Sequence, residues 1–309
     1  MDFFKTNVLP LGLIIAIVVA LLIPNPGIYL KQHGLVPWMV ISIFLIYGYQ
    51  TKYKEIPWNL SFLKTFVFAF FTNLLVAPFL GLGLAHLFQL SSAMTLGLIV
   101  ASVVPPTLSS GVVLTEVAGG NTRWALMMTI GLNIIGVFTI PFILPLCLKV
   151  DDEIIVSAFP LLQDLVLYVL APLLVGNQAR RFFQEKQEPS AIKQIPPACV
   201  ILIVWISMSA SSEILMTLDI PSLLKILAAA FFAHLLLLLG NASGGLFLKL
   251  KNKEKKALLF VASQKTLPVA ISILTVINAA EATAALLVCI VYHFMQLLMD
   301  SVIASRSIA

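Results

Sequence analysis

Charge is scarce in this sequence. Only 11% of its 309 residues are Asp, Glu, Lys or Arg, where a soluble globular domain carries about a quarter. Apolar residues make up 60% and run the whole length, which leaves no room for a separate soluble domain. Cysteine is rarer still: Cys147, Cys199 and Cys289, each inside an apolar run. Isolated thiols of this kind give neither a disulfide framework nor metal-ligand spacing, and they read as small buried hydrophobes. Also missing are a Ser-His-Asp arrangement at one depth, a metal-ligand cluster and a phosphate-binding loop, so no enzyme, no cofactor and no nucleic-acid partner is expected. The first apolar run, Val8 to Ile23, has no small-residue cleavage pattern after it and reads as a membrane span, not a signal peptide. What the chain does have is long hydrophobic runs and a mean hydropathy of +1.03. The expectation is an all-α polytopic membrane protein whose first partner is the lipid bilayer.

Ten spans are read, at roughly 7–24, 35–50, 60–88, 92–118, 122–148, 154–178, 195–212, 220–248, 255–278 and 281–304, each near the 20 or so residues a bilayer needs. Pro24-Asn25-Pro26-Gly27 is expected to end the first, and Asn121 or Thr122 to cap the fifth. Asp151-Asp152-Glu153 opens the sixth, where acid favours a helix N-terminus. Residues 180–193 form the longest polar linker. With the N-terminus inside, fifteen of the nineteen Lys and Arg lie on the inner side; Lys31, Lys149 and Lys225 lie outside, and Lys265 lies within the membrane. This bias puts both termini in the cytoplasm, in a cell (inner) membrane, and accounts for the net charge of +5 without an acidic partner.

Two stretches interrupt the apolar pattern. Phe260-Val261-Ala262-Ser263-Gln264-Lys265-Thr266-Leu267-Pro268 places a glutamine, a lysine and a proline inside a span, and Val104-Pro105-Pro106-Thr107-Leu108-Ser109-Ser110-Gly111 does the like in another. Pro105, Pro106 and Pro268 are read as helix breaks. A shift of 159 residues lays Thr107-Leu108 on Thr266-Leu267 and brings the spans of the two halves into register. Five spans per half is an odd number, so the second half inserts upside down: two inverted five-helix repeats with broken, crossing helices four and nine, and a site near the midplane.

These residues resemble the bile acid:sodium symporter family, and within it the SBF-like branch, over essentially the whole chain. The resemblance implies panel helices one and two at 1–58, core helices three to five at 59–149, panel helices six and seven at 150–214, and core helices eight to ten at 215–309, the core moving against the panel. Asn73, five residues before Pro78, matches the family's third-span glutamine. Family sodium ligands fall on Ser110, Gly111, Ala125 and Thr129. The ninth-span pattern Glu-x-Gly-x-Gln-Asn reads Phe260 to Lys265 here: Gln264 is kept, Phe260 replaces the glutamate and Lys265 the asparagine. What remains is a degenerate sodium site of Ser110, Thr129 and Gln264. Two positive charges about 4 Å apart repel by about 4 kcal/mol at an effective dielectric of 20, so sodium is not the expected coupling ion.

Lys265 has three functional readings: its ammonium replaces sodium among Gln264, Asn73, Ser110 and Thr129; it carries a coupled proton; or it holds a substrate anion. A structural pair or a snorkelling side chain is the plain alternative. Glu116, about 13 Å past Thr107 along a helix, is a membrane-edge ion pair or a gate and proton site. Asp164 is a panel contact or a cap. Asn133 and Asn241 read as interhelical hydrogen bonds, and His86, His234 and His293 as structural. His293, Gln296 and Asp300 share one helix face, which must meet protein or water. Trp38, Trp58 and Trp124 read as interface anchors. The expected function is secondary active transport of a small or medium organic anion, at a site lined by Asn73, Thr107, Ser109, Ser110, Thr129, Gln264, Lys265 and Thr266. The alternatives are a cation/proton exchanger and a non-transporting regulator of ion homeostasis.

Overall fold

In the computed structural model the described residues are 2–50, 59–148, 157–183, 190–210, 212, 219–277 and 282–307. Trp58, the acidic run Asp151-Asp152-Glu153, the middle of the 180–193 linker and Glu281 lie outside them. The described residues are helical with short connections and hold no strand. Six helices are long and apolar enough to cross a bilayer: Leu60–Leu87, Thr122–Leu148, Ala158–Arg180, Ile220–Phe247, Asn252–Ile277 and Ala284–Arg306. The pair Leu11–Leu22 and Pro24–Gln32 is bent by 98° and makes a seventh if it counts as one span; Leu35–Gln50, Ser92–Val103 and Gln194–Ser209 are shorter apolar helices. The chain is a multi-pass membrane protein.

As expected, the first helix stops at the prolines: α1 (Asp2–Leu22) ends just before Ile23. The prolines at 24 and 26 then also open a second helix, α2 (Pro24–Gln32), bent from the first by 98°, because the first turn is where a missing N–H is no loss. After α3 (Leu35–Gln50), the span Leu60–Leu87 has three parts: α4 (Leu60–Phe70), a π turn over Phe71–Val76, and α5 (Ala77–Leu87). Asn59 caps α4, its Oδ1 accepting from the Phe62 N–H at 2.8 Å. Pro78 explains the π turn. The Ala77 N–H donates five residues back to the Thr72 carbonyl. The next donor in that ladder would be Pro78, which has none, so the carbonyl of Asn73 is released. Ala158–Arg180 repeats the device: α9 (Ala158–Leu165) and α10 (Ala171–Phe183) flank a π turn over Val166–Leu170, with Pro172 again second in the following helix.

The fourth span is two helices, α6 (Ser92–Val103) and α7 (Ser110–Val117), and α8 (Thr122–Leu148) follows. Asn121 caps α8 through Oδ1, which accepts from the Trp124 N–H at 3.2 Å. Then come α11 (Ser190–Ser209), α12 (Ile220–Phe247), α13 (Asn252–Ser263), α14 (Leu267–Ile277) and α15 (Ala282–Arg306). α1, α2 and α3 pack on α10 and α11, whereas α4 to α8 pack with α12 to α15; α8 against α9, and α14 against α3 and α9, join the two groups. The span made of α13 and α14 is the innermost: 94% of its most apolar window is buried, against 28–50% in the other five long helices. Trp124 departs from the interface anchor expected of it. It is buried against Phe62, ring centroids 5.3 Å apart, while Trp38 stays exposed.

Small residues set the closest helix approach. A Cβ at Gly176 would lie 1.9 Å from the Leu45 carbonyl oxygen, and one at Gly48 would lie 2.0 Å from that of Leu173, so α3 and α10 touch backbone to backbone. Gly176→Ala should therefore cost about 1–3 kcal/mol, the range for overpacking. Gly240→Ala, where a Cβ meets nothing within 4 Å, should leave the melting midpoint of the purified protein unchanged or slightly raised. Equal midpoints for the two variants would show that the α3–α10 contact does not limit stability.

Candidate functional site at the crossing of two broken helices

The breaks at 104–109 and 264–266 meet. The Thr266 N–H donates to the Pro105 carbonyl at 2.9 Å, one backbone bond between two segments that have left their helices. Pro105 and Pro106 lie inside the first break. Pro268 lies just after the second, in the first turn of α14. Gly136 on α8 faces Pro105 so closely that a Cβ would sit 3.1 Å from its ring. Asn133, one turn earlier, donates from Nδ2 to the Pro106 carbonyl at 2.9 Å and to the Thr129 carbonyl at 2.8 Å. Asn73 donates from Nδ2 to the carbonyls of Ala262 and Gln264, at 2.9 and 3.0 Å. Each break is thus held by an asparagine from a neighbouring span. Backbone groups freed at membrane depth need such partners.

Lys265 is 2% exposed. Its ammonium donates to the Asn73 carbonyl at 2.5 Å and to the Val104 carbonyl at 3.0 Å. The first is the carbonyl that Pro78 releases from the π turn. The second lies just past the C-terminal end of α6, where the helix dipole is negative. This corrects the expected setting: the charge rests on backbone oxygens of Asn73 and Val104, not among the side chains of Gln264, Ser110 and Thr129. The Lys265 backbone is bracketed by Gln296, whose Oε1 accepts from the Lys265 N–H at 2.8 Å and whose Nε2 donates to the Lys265 carbonyl at 2.7 Å.

Gln264 leads elsewhere. Its Oε1 accepts from the Thr107 hydroxyl at 2.5 Å and the Ser110 hydroxyl at 2.7 Å. Its Nε2 donates to Asp300 Oδ2 at 2.8 Å, and Asp300 Oδ1 lies 2.8 Å from His234 Nε2. Gln264, Asp300 and His234 are each fully buried. Gly111 comes within ordinary contact of Gln264 Oε1, 3.4 Å from where a Cβ would be. Asn241 links the π turn to the second break, accepting from Thr72 at 2.9 Å and donating to Ser263 at 3.1 Å.

Of the residues expected to line the site, Asn73, Thr107, Ser110, Gln264, Lys265 and Thr266 come together here. Thr129 is buried beside them on α8, its hydroxyl without a partner. Ser109 is exposed and meets the Tyr47 hydroxyl of α3 instead. Glu116 is exposed on α7 and does not pair with Lys265. Asp164 is the seventh of eight residues in α9, so it is not a cap. Sequence reasoning missed the role of Asp300, although it placed Asp300 on a polar face with Gln296 and His293. It also missed His234, read as an isolated structural histidine, and the carbonyl of Val104. Among the described residues no group of three His, Cys, Asp or Glu is placed to hold a metal.

Comparison with known proteins agrees with this helical, membrane-spanning architecture. The SBF-like CPA transporter family matches residues 7–308. The chain is 30% identical over 98% of its length to a probable sodium/metabolite cotransporter, BASS4, chloroplastic, of Oryza sativa subsp. indica, covering 76% of that protein. It is 28% identical to a probable sodium/metabolite cotransporter of the same name from Arabidopsis thaliana, over 99% of this chain and 73% of the relative. It is 26% identical to sodium/bile acid cotransporter 7-B of Xenopus laevis, over 95% of this chain and 89% of the relative. These relatives are transporters, not enzymes. With its match running nearly end to end, the chain belongs to the SBF-like CPA transporter family.

Proposed function

We propose that this chain carries a small or medium organic anion across a cell (inner) membrane by alternating access, with Lys265 in place of a coupling sodium ion. The observation that carries the reading is the Lys265 ammonium on the Asn73 and Val104 carbonyls. Unwound carbonyls and half-helix C-terminal ends are where broken-helix transporters coordinate a cation. Here that position is filled by a charge attached to the chain. The N-termini of α7 and α14 begin at the same crossing and favour a negative cargo. The reading takes the six long helices, the bent pair and the three shorter apolar helices as ten spans in two inverted repeats. α1–α3 with α9–α11 form the panel, and the remaining helices form the moving core.

A second reading has an observation of its own. Asn73 Oδ1, Thr129 Oγ1 and Asn133 Oδ1 are buried without partners, and the Asp300 carboxylate stands one residue away behind Gln264. Hard cations bind such oxygens, so this reading makes the protein an exchanger of cations, sodium or protons, at the same crossing.

Thermal denaturation of the purified protein in sodium chloride against equal choline chloride separates the two, since a ligand specific for the folded state raises the midpoint by mass action. With Lys265 as the built-in cation, the wild type shows no sodium-specific shift and Lys265→Asn, its carbonyls vacated, gains one. A sodium-specific shift in the wild type that persists unchanged in Lys265→Asn would overturn the reading and favour the exchanger. Orientation is checked separately. In a variant without the three native cysteines, a cysteine at Lys225 should react with a membrane-impermeant maleimide in intact cells and one at Lys253 only after permeabilisation. The reverse pattern would invert the topology.

A further inference from the structure

Phe260 stands where the family resemblance implies a glutamate. It is fully buried in one apolar cluster with Ala118 and Ala304, so no carboxylate reaches the crossing from α13. One arrives from α15. Asp300 lies one helical turn before Ala304 and is in contact with Gln264.

We infer that Asp300, held by His234, is the positioning residue of the crossing: it fixes which end of the Gln264 amide faces Thr107 and Ser110, and supplies from α15 the negative charge that position 260 lacks. The argument is one of donors and acceptors. A carboxylate has only acceptors, and an amide has a donating and an accepting end. Asp300 therefore takes the NH2 end of Gln264, at 2.8 Å. The oxygen end is left for the two hydroxyls, at 2.5 and 2.7 Å. A reversed amide would set its oxygen against Asp300 with no proton between them. Asp300 itself is held in place by the His234 ring at 2.8 Å, with Tyr292 edge-on to that ring at 6.3 Å. Four segments are strung along this line: α12, α15, the second break and the first break.

The consequence reaches the ligand. Thr107 and Ser110 Oγ atoms are 2.5 Å apart, so both hydroxyl protons are spent within the triangle they form with Gln264 Oε1. What these two residues offer outward is lone pairs. Thr107 also accepts from the Gly111 N–H at 3.2 Å, so the lone pairs that remain, chiefly those of Ser110, suit a donor or a cation and not the negative end of an anion. This rests on the transport reading above, in which the crossing meets the cargo.

The test exchanges the roles of the two side chains. In Gln264→Glu two carboxylates face each other, and the melting midpoint should fall by roughly 5–10 °C. Adding Asp300→Asn should restore most of that loss, because the asparagine NH2 donates to the new glutamate and its oxygen accepts from His234. Adding Asp300→Leu instead relieves the repulsion but makes neither bond, and should rescue less. If Gln264→Glu yields no folded protein, the recovery of folded yield in the double variants is read in the same way. A double variant with Asn no better than Gln264→Glu alone, or no better than the one with Leu, overturns the assignment. The cycle needs no cargo, so it can fail while the transport reading stands, and the sodium titration can fail while the cycle succeeds.

Discussion

Inside hydrocarbon a backbone N–H or C=O that leaves its helix must find a partner in protein, and the centre of this molecule is organised by that requirement. Two breaks release backbone groups at one depth. They answer part of the need for each other through the bond from the Thr266 N–H to the Pro105 carbonyl and the one from the Lys265 ammonium to the Val104 carbonyl. Asn73, Asn133 and Gln296 answer more of it from three other spans. Polar side chains at this depth are therefore not scattered decoration. Asn73, Asn133 and Gln296 stand where a broken ladder needs a donor or an acceptor.

Charge follows the same logic. An isolated buried ammonium is expensive, yet among the described residues Lys265 has no carboxylate as a hydrogen-bond partner. Its stabilisation comes from one carbonyl at the negative end of α6 and one that a proline frees from a π turn. The adjoining residue leads to a fully buried histidine–carboxylate pair, His234 and Asp300. Gln264 and Lys265 are neighbours in sequence, but they connect to an anion and a cation held on different partners. A short extended segment thus leads to two buried ionisable groups on different partners, Lys265 on backbone carbonyls and Asp300 on the Gln264 amide and the His234 ring.

Much of this was legible in the sequence, for physical reasons that can be named. The proline-led stretch at 104–111 and the lysine at 265 broke the apolar pattern and marked the crossing. Asn121 announced itself as a cap. Less legible were the partners. That Val104 would offer its carbonyl to Lys265 depends on backbone geometry, which side-chain identity does not encode. His234 and Asp300 are 66 positions apart, on helices whose rotation about their axes the sequence leaves open. Asp300 could be assigned to a polar face, but not to Gln264. Pro24 and Pro26 marked the end of the first helix, but that they also open a second one was not legible, because the same residue suits a helix start as well as an end.

The π turns carry a consequence for how the chain tolerates change. Each holds one residue more than an α ladder would, and one residue is about 100° of rotation. The faces of α4 and α5 are therefore out of phase with each other, and so are those of α9 and α10. A single-residue deletion within Phe71–Val76 would bring the two halves of that span back into one phase, at the expense of turning every side chain beyond it to a new neighbour. Length, in these two spans, is as much a part of the sequence's information as residue type.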